Sequence, residues 1–413
     1  MVLLASSRKI VAIVGAGPAG LIAAQELSRY NTVDIHIFEQ KPSVARKFLI
    51  AGRGGLNLTH SEPITTFAEK YDENKGRFTQ YLGRFAPKDM LKWAETLGIK
   101  TFKGSSGRIF PDGLKATPLL RAWLKALDQE NVTFHLKHSW QGTKNDGTLI
   151  FQDSEVGQIE FNTDAILYAM GGSSYPHLGS NGKWVDPMQQ NGVDITPLAP
   201  SNCGFKVSWS PHLLSKHEGS PIKNITLSFN DHCIAGDLVI TKTGLEGGAL
   251  YALSKQLRQS LQRTTSTVIE LDLKPEASLD EIGNLLSAPR GKMSLSNFLR
   301  KKLRLSPAKL ALLYEFTEKP DLQDVAKMSK MIKALPVPLT GINDITRAIS
   351  SAGGVKFDNL DENLMLKNKP GQFVAGEMLD WEAPTGGYLL QGSFATGVIA
   401  ADGITSFLKL SQS

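Results

Sequence analysis

Two kinds of apolar spacing alternate along this chain. Short unbroken apolar runs closed by glycine mark buried parallel strands, and apolar residues spaced three and four apart mark helices. "KIVAIVG" (9–15) is of the first kind. A helix-compatible segment follows from Pro18 to about Arg29, and "TVDIHIFEQ" (32–40) reads as a second strand, which together make a βαβ unit. From Lys41 to Glu62 the chain is basic and then glycine-rich, with little regular pattern. Helical spacing returns over 87–98 and 117–127. Alternation over 132–142 and 147–152 suggests a strand pair, and "DAILYAMGG" (164–172) is a further buried strand.

Near Pro197 the pattern changes. Short strands with turn signals occupy 203–209, 223–229, 232–241 and 266–273, and helical spacing follows over 279–287, 294–305, 307–318 and 322–334. "LPVPL" (335–339) breaks the pattern, after which "GQFVAG" (371–376) reads as a strand leading to a closing helix. The chain therefore divides into a discontinuous domain, 1–195 with 339–413, and an inserted domain, 196–338, part β and part α.

Composition narrows the classes of function. A chain of 413 residues with 41% hydrophobic and 21% charged residues is ordinary for a globular protein with two or three domains. No stretch approaches the roughly 18 consecutive apolar residues of a membrane span. The start, "MVLLASSRK", has too few apolar residues for a signal-peptide core, so a soluble cytoplasmic protein is expected. Cys203 and Cys233, far apart and without a CxxC pair, argue against a disulfide scaffold, a zinc site or a redox dithiol, and fit small buried hydrophobes. The histidines show no metal-ligand spacing, so no metal is expected. Net charge is +6, and "RGKMSLSNFLRKKLRLSPAK" (290–309) is basic without an acid. Without interleaved aromatic residues for base stacking, such a run fits a solvated helix face better than a nucleic-acid surface.

The chemistry starts at "GAGPAG" (15–20), which has the G-x-G-x-x-G spacing. It follows one strand, opens a helix, and precedes Glu39 at the end of the next strand by about 20 residues, which completes the dinucleotide-binding pattern. Gly15 permits the tight turn, Gly17 lets the backbone approach a pyrophosphate, and Gly20 lets helix and strand pack closely. The helix start offers free N–H groups to phosphate, with Ala16, Pro18 and Ala19 completing the turn. Glu39 suits ribose hydroxyls and disfavours a 2′-phosphate, which leaves FAD or NAD.

The far end of the chain separates these two. "FVAGEMLD" (373–380) ends a strand at Gly376 and adds Glu377 and Asp380, acids suited to ribityl hydroxyls. Thr385-Gly386-Gly387-Tyr388-Leu389 then opens a helix of small residues, among them Gly392, Ser393, Ala395, Gly397 and Ala400. Two glycines at a helix start cost stability unless something must approach the backbone there. A helix N-terminus aimed at the N1–C2=O edge of a reduced flavin would stabilise its negative charge. FAD is therefore the expected cofactor.

The motifs "VAIVGAGPAGLIAA" (11–24), "KFLIAGRGGLNLTHSE" (47–62), "GRIFPDGLKAT" (107–117), "GGSSYPHLGSNG" (171–182) and "AGEMLDWEAPTGGYLLQGSFATG" (375–397) carry a resemblance over nearly the whole chain. The sequence resembles the bacterial FAD-dependent oxidoreductases that include aminoacetone oxidase and bile-acid-pathway flavoproteins. The resemblance implies an α/β fold: an FAD-binding Rossmann-type core of the two-dinucleotide-binding-domain flavoprotein kind, with an inserted β-barrel-like plus helical domain. It departs at Gly55-Leu56-Asn57, where many relatives carry Arg-Cys-Asn, so chemistry that relies on a thiol there is ruled out.

Two segments are candidates to face the flavin. In "AGRGGLNLTH" (51–60), Gly54 and Gly55 allow close backbone approach, while Arg53, Asn57, Thr59 and His60 offer polar contacts. In the 171–182 segment, Gly171 follows a strand end, and Tyr175 or His177 is placed to exchange a proton near neutral pH, with His60 a further candidate. Gln40, Lys47 and Trp140 complete the candidate cofactor-binding set, and Trp381 and Tyr388 are candidate walls of a substrate pocket. The expected function is an FAD-dependent oxidoreductase passing a hydride between a small organic substrate and flavin N5. No second G-x-G-x-x-G marks an NAD(P)H domain, so NAD(P)H or dioxygen stands as the second substrate. The rival readings are an NAD-dependent dehydrogenase and a non-catalytic, RNA-associated flavoprotein using residues 290–309.

Overall fold

The computed structural model describes residues 8–52, 54–128 and 130–411. These fall into two compact units, one running to Ala199 and resuming at Ile349, the other spanning Pro200–Ala348.

The first unit is built on a parallel sheet. Strand β1 (Lys9–Val14) lies at its centre, with β2 (Val33–Glu39) on one side and Ala165–Tyr168 on the other. Val132–Leu136 extends the sheet beyond β2, and Gln372–Val374 extends it beyond 165–168. Val11–Val14 and Ala165–Tyr168 are buried without interruption, as expected of strands covered on both faces. Helix α1 (Pro18–Leu27) and the closing helix, Tyr388–Leu408, pack closely. A Cβ added at Gly397 would lie 2.5 Å from the Ala19 carbonyl oxygen, so the small residues of the closing helix let two backbones meet.

The expected strand over 132–142 is in fact two. Lys137 takes a left-handed conformation (φ +62°) and breaks the run. Residues before it join the parallel sheet beside β2. His138–Thr143 pairs instead with Leu149–Asp153, which pairs with Gly157–Phe161, in a small antiparallel sheet. The segment 41–62, without pattern in the sequence, holds a short helix α2 (Arg46–Ala51) and a two-residue strand, Thr59–His60, paired with Arg108–Pro111.

The second unit carries a seven-stranded antiparallel sheet with its own apolar core. Its order runs from Leu335–Leu339 through Thr267–Asp272, Pro221–Phe229, His232–Thr241, Gly244–Glu246 and Phe205–Lys206 to Gly341–Ile342. Among the described residues no pairing joins the two outer strands, so the expected β-barrel-like closure is not seen. "LPVPL" is an edge strand, not a break. Leu335, Val337 and Leu339 face the core, while Pro336 and Pro338 lack only N–H groups, which an edge can spare. The unit ends later than the expected 338, because Gly341–Ile342 pairs with Phe205–Lys206 before the chain leaves at Ala348. It begins at Pro200, not 196. Cys203 is buried as expected, whereas Cys233 is exposed on its strand.

Candidate cofactor site

A cavity of about 470 Å³ opens at the C-terminal ends of β1 and β2. Its floor is the Gly15–Ala19 turn. The three glycines have separate mechanical reasons. Gly15 has φ +111°, and a Cβ there would lie 2.4 Å from the Ala169 carbonyl oxygen. A Cβ on Gly20 would meet the Gly15 carbonyl oxygen at 2.2 Å. Gly17 differs: nothing lies within 4 Å of its added Cβ, and its φ of −85° suits any residue. The bare side of Gly17 belongs to the cavity. It is also the N-cap of α1 and carries no side-chain cap, so the helix start keeps N–H groups for an anion.

Glu39 ends β2 at the cavity wall. Its carboxylate accepts from the Lys41 amide at 2.9 Å and the Ala16 amide at 3.3 Å. Burial pushes its pKa upward against those two hydrogen bonds. Gln40 also lines the cavity, but its amide is engaged by protein: Nε2 donates to the Gly179 carbonyl at 2.7 Å, and Oε1 accepts from Asn181 Nδ2 at 3.1 Å.

Lys47, one residue into α2, reaches across to the far segment of the chain. Its Nζ donates to Glu377 Oε2 at 2.7 Å and to Ser174 Oγ at 2.5 Å. Glu377 is held independently by the Ser351 amide at 2.9 Å. Lys47, Gly171, Gly376 and Glu377 all line the cavity, so its walls come from opposite ends of the sequence. Trp140 lines it too, with its Nε1 donating to Thr143 Oγ1 at 3.2 Å.

The remaining candidates lie elsewhere. Arg53 is outside the described residues. Gly54, Gly55, Asn57, Asp380 and residues 385–389 are absent from the cavity lining. Asp380 accepts from Thr196 Oγ1 at 2.5 Å, an internal tie that accounts for its carboxylate. The closing helix starts at Tyr388, not at Thr385, and its glycines answer to protein packing. Gly386 and Gly387 have φ +120° and +105°, and a Cβ on Gly387 would meet the Thr59 backbone at 2.6 Å. The backbone that approaches Gly387 is that of Thr59.

The candidate acid–base residues also stand off the cavity. Tyr175 and His177 pack edge to face on a turn, with His177 exposed. His60 stacks on Tyr388, and its Nε2 contacts the Ser106 carbonyl at 2.9 Å. Burial, then a hydrogen bond to the Glu62 carboxylate, raises the Tyr388 phenol above its ordinary pKa. Trp381 is core: it packs with Tyr71 and Phe78 and donates to the Gly376 carbonyl at 2.8 Å.

Sequence reasoning missed Arg46, Ser180, Asn181, Trp184 and Ser393, all of which line the cavity. Arg46 Nε and Ser180 Oγ are buried without a hydrogen-bond partner. An uncapped helix start, a bare Gly17 and two orphaned donors form a donor set suited to a phosphate-bearing dinucleotide. The signal for Ser393 was the small-residue stripe of the closing helix. For Arg46 it was the basic character of 41–53.

The sequence model of the family described as "HI0933-like protein Rossmann domain" matches residues 9–403, and the chain belongs to this family. It is also similar to a 3-dehydro-bile acid delta(4,6)-reductase of Clostridium scindens, 25% identical over 407 residues, covering 94% of this chain and 97% of that one. Among solved structures, the apo form of the Mycobacterium smegmatis Sdh1 complex matches 98% of this chain and 70% of that chain, at 13% identity and a TM-score of 0.50. That likeness concerns the fold alone. Among the described residues, no helix is long and apolar enough to cross a membrane, and no cluster of metal-ligating side chains occurs.

Proposed function

We propose that the chain binds FAD and acts as an oxidoreductase, passing a hydride between a small organic substrate and flavin N5. The observation that carries this reading is the shared cavity: the open Gly17 turn and Glu39 from one end of the sequence face it together with Lys47, Gly376 and Glu377. FAD, when bound, supplies the acceptance and return of the hydride. The chain supplies the holding. The start of α1 and Arg46 meet the pyrophosphate, Glu39 accepts from ribose hydroxyls, and Glu377 offers acceptor oxygens to the ribityl chain. Lys47 places a positive charge in the same cavity. No proton transfer is assigned to Tyr175, His177 or His60, none of which lines the cavity.

The name of the Clostridium scindens relative is that of a reductase, and a reductase needs an electron donor, so NADH and NADPH head the screen. Purified protein is expected to be yellow, to release FAD on denaturation, and to bleach anaerobically with one of NADH, NADPH or a small amine. A colourless protein stabilised by NAD alone would replace this reading with that of an NAD-dependent dehydrogenase.

A further inference from the structure

Residues 178–181 of the loop over 175–182 form one wall of the cavity, and three left-handed residues shape the loop: Tyr175 (φ +58°), Gly179 (φ +115°) and Gly182 (φ +68°). Gln40 ties this loop to the end of β2 through two hydrogen bonds, one to the Gly179 carbonyl at 2.7 Å and one from Asn181 at 3.1 Å. The tie holds the loop close to the ribose-side acid, since a Cβ on Gly179 would lie 3.6 Å from Glu39 Oε1. Ser180 sits between the two anchored residues. It is 7% exposed, lines the cavity, and its hydroxyl has no hydrogen-bond partner. A buried hydroxyl left unpaired forfeits its hydration without recompense, so its placement needs a compensating partner. Gly171 beside it carries no side chain, and a Cβ added there would lie 3.4 Å from Ser180 Oγ.

We propose that the Ser180 hydroxyl donates a hydrogen bond to an oxygen of the bound dinucleotide, and that Gln40 is the positioning residue that pins residues 179–181 for it. Phosphate oxygens and ribose hydroxyls supply the same acceptor chemistry. The inference rests on the FAD reading above and deepens it. It also reassigns Gln40: its amide is committed to the loop on both sides and acts on the cofactor through Ser180.

The test is the affinity and release rate of FAD, read by flavin fluorescence on the full chain, with thermal melting of the cofactor-free protein as the fold control. A hydrogen bond is worth about 1 kcal/mol to a neutral ribose hydroxyl and about 1.5–3 kcal/mol to a charged phosphate, so Ser180→Ala should raise the Kd for FAD about fivefold or more. Gln40→Ala should speed FAD release by a similar factor. The double variant should be no weaker than Gln40→Ala alone, because an unpinned Ser180 no longer reaches its acceptor. A merely structural Gln40 would instead give additive losses. If Gln40→Ala fails to fold, Gln40→Glu replaces it, keeping the acceptor for Asn181 and losing the donor to Gly179. Folded single variants with wild-type Kd and release rate overturn the inference and leave the FAD reading standing. A wild-type chain that takes up no FAD removes that reading, and this inference with it.

Discussion

His36 Nδ1 and His135 Nε2 lie 2.9 Å apart, one on β2 and one on the neighbouring parallel strand. Such a contact requires one donor and one acceptor nitrogen, so the pair cannot be doubly protonated. The rings sit in an aromatic layer. His135 stacks on Phe38, which stacks on Phe151 of the small antiparallel sheet, and Phe161 and His138 close the layer. Burial lowers the His36 pKa, with Asp34 opposing. Burial, then the charges of His36 and His138, lowers His135 to about 4.

Folding stability should therefore fall with acid in a defined window. A histidine whose folded pKa lies below its unfolded value of 6.5 binds fewer protons when folded. Stability is fully present above that value and is lost as pH falls from about 6.5 towards 4, levelling below it. Denaturant midpoints measured across pH 4–8 should show this slope, and His135→Phe should flatten it. A wild-type profile without change between pH 6.5 and 4 would refute the assignment. Because His138 and Trp140 on the small sheet line the cofactor cavity, FAD retention should weaken over the same window.

Gly17→Ala and Gly20→Ala should separate binding from folding. Gly20 has no room for a Cβ, with a backbone oxygen 2.2 Å away, and overpacking of that kind costs about 1–3 kcal/mol or more. Gly17 has an ordinary φ and open space, so alanine there costs only about the difference between two N-cap residues, roughly 1 kcal/mol. Thermal melting of the cofactor-free variants should therefore fall clearly for Gly20→Ala and little for Gly17→Ala. FAD affinity should drop at least tenfold for Gly17→Ala, since its methyl group enters the cavity.

Lys47 and Glu377 are unequal partners. Glu377 keeps its hydrogen bond from the Ser351 amide when Lys47 is lost, and the ion pair is partly exposed. Lys47→Met should thus change stability by less than about 1 kcal/mol. Glu377→Ala leaves the Ser351 and Gly172 amides without their acceptor, which costs about 1–3 kcal/mol. Chemical denaturation of both variants without FAD checks the order, and equal losses would contradict it.

What the sequence made legible follows from how local each cause is. The β1–α1–β2 unit with its glycines and Glu39 was readable because strand burial, helix start and turn all fall within about thirty residues. The split at Lys137 was not, since "VTFHLKHSW" alternates straight through a residue whose left-handed turn is set by two different sheets. Pro336 and Pro338 misled for a similar reason: a proline forbids a central strand but not an edge, and edges are a tertiary property. In the site, Arg46 carries no motif, and Ser180 lies in the 171–182 segment beside the more conspicuous Tyr175 and His177. They become visible only when the fold leaves their polar atoms unpaired beside a cavity.

Gly387 puts the opening of the closing helix to a direct test. Its φ of +105° lies where a side chain is strained, at a cost of about 1–3 kcal/mol, and an added Cβ would press on the Thr59 backbone at 2.6 Å. Overpacking against backbone adds about 1–3 kcal/mol, so Gly387→Ala should destabilise the cofactor-free protein by roughly 2–6 kcal/mol. Gly386→Ala should cost less: its φ is strained too, but the nearest atom is Arg108 Nε at 3.2 Å, on a flexible side chain. If the glycines served only to make room for a flavin, both variants would melt like wild type without FAD and lose affinity with it. A large drop in the denaturant midpoint of cofactor-free Gly387→Ala, with Gly386→Ala in between, is the outcome the Thr59 contact demands.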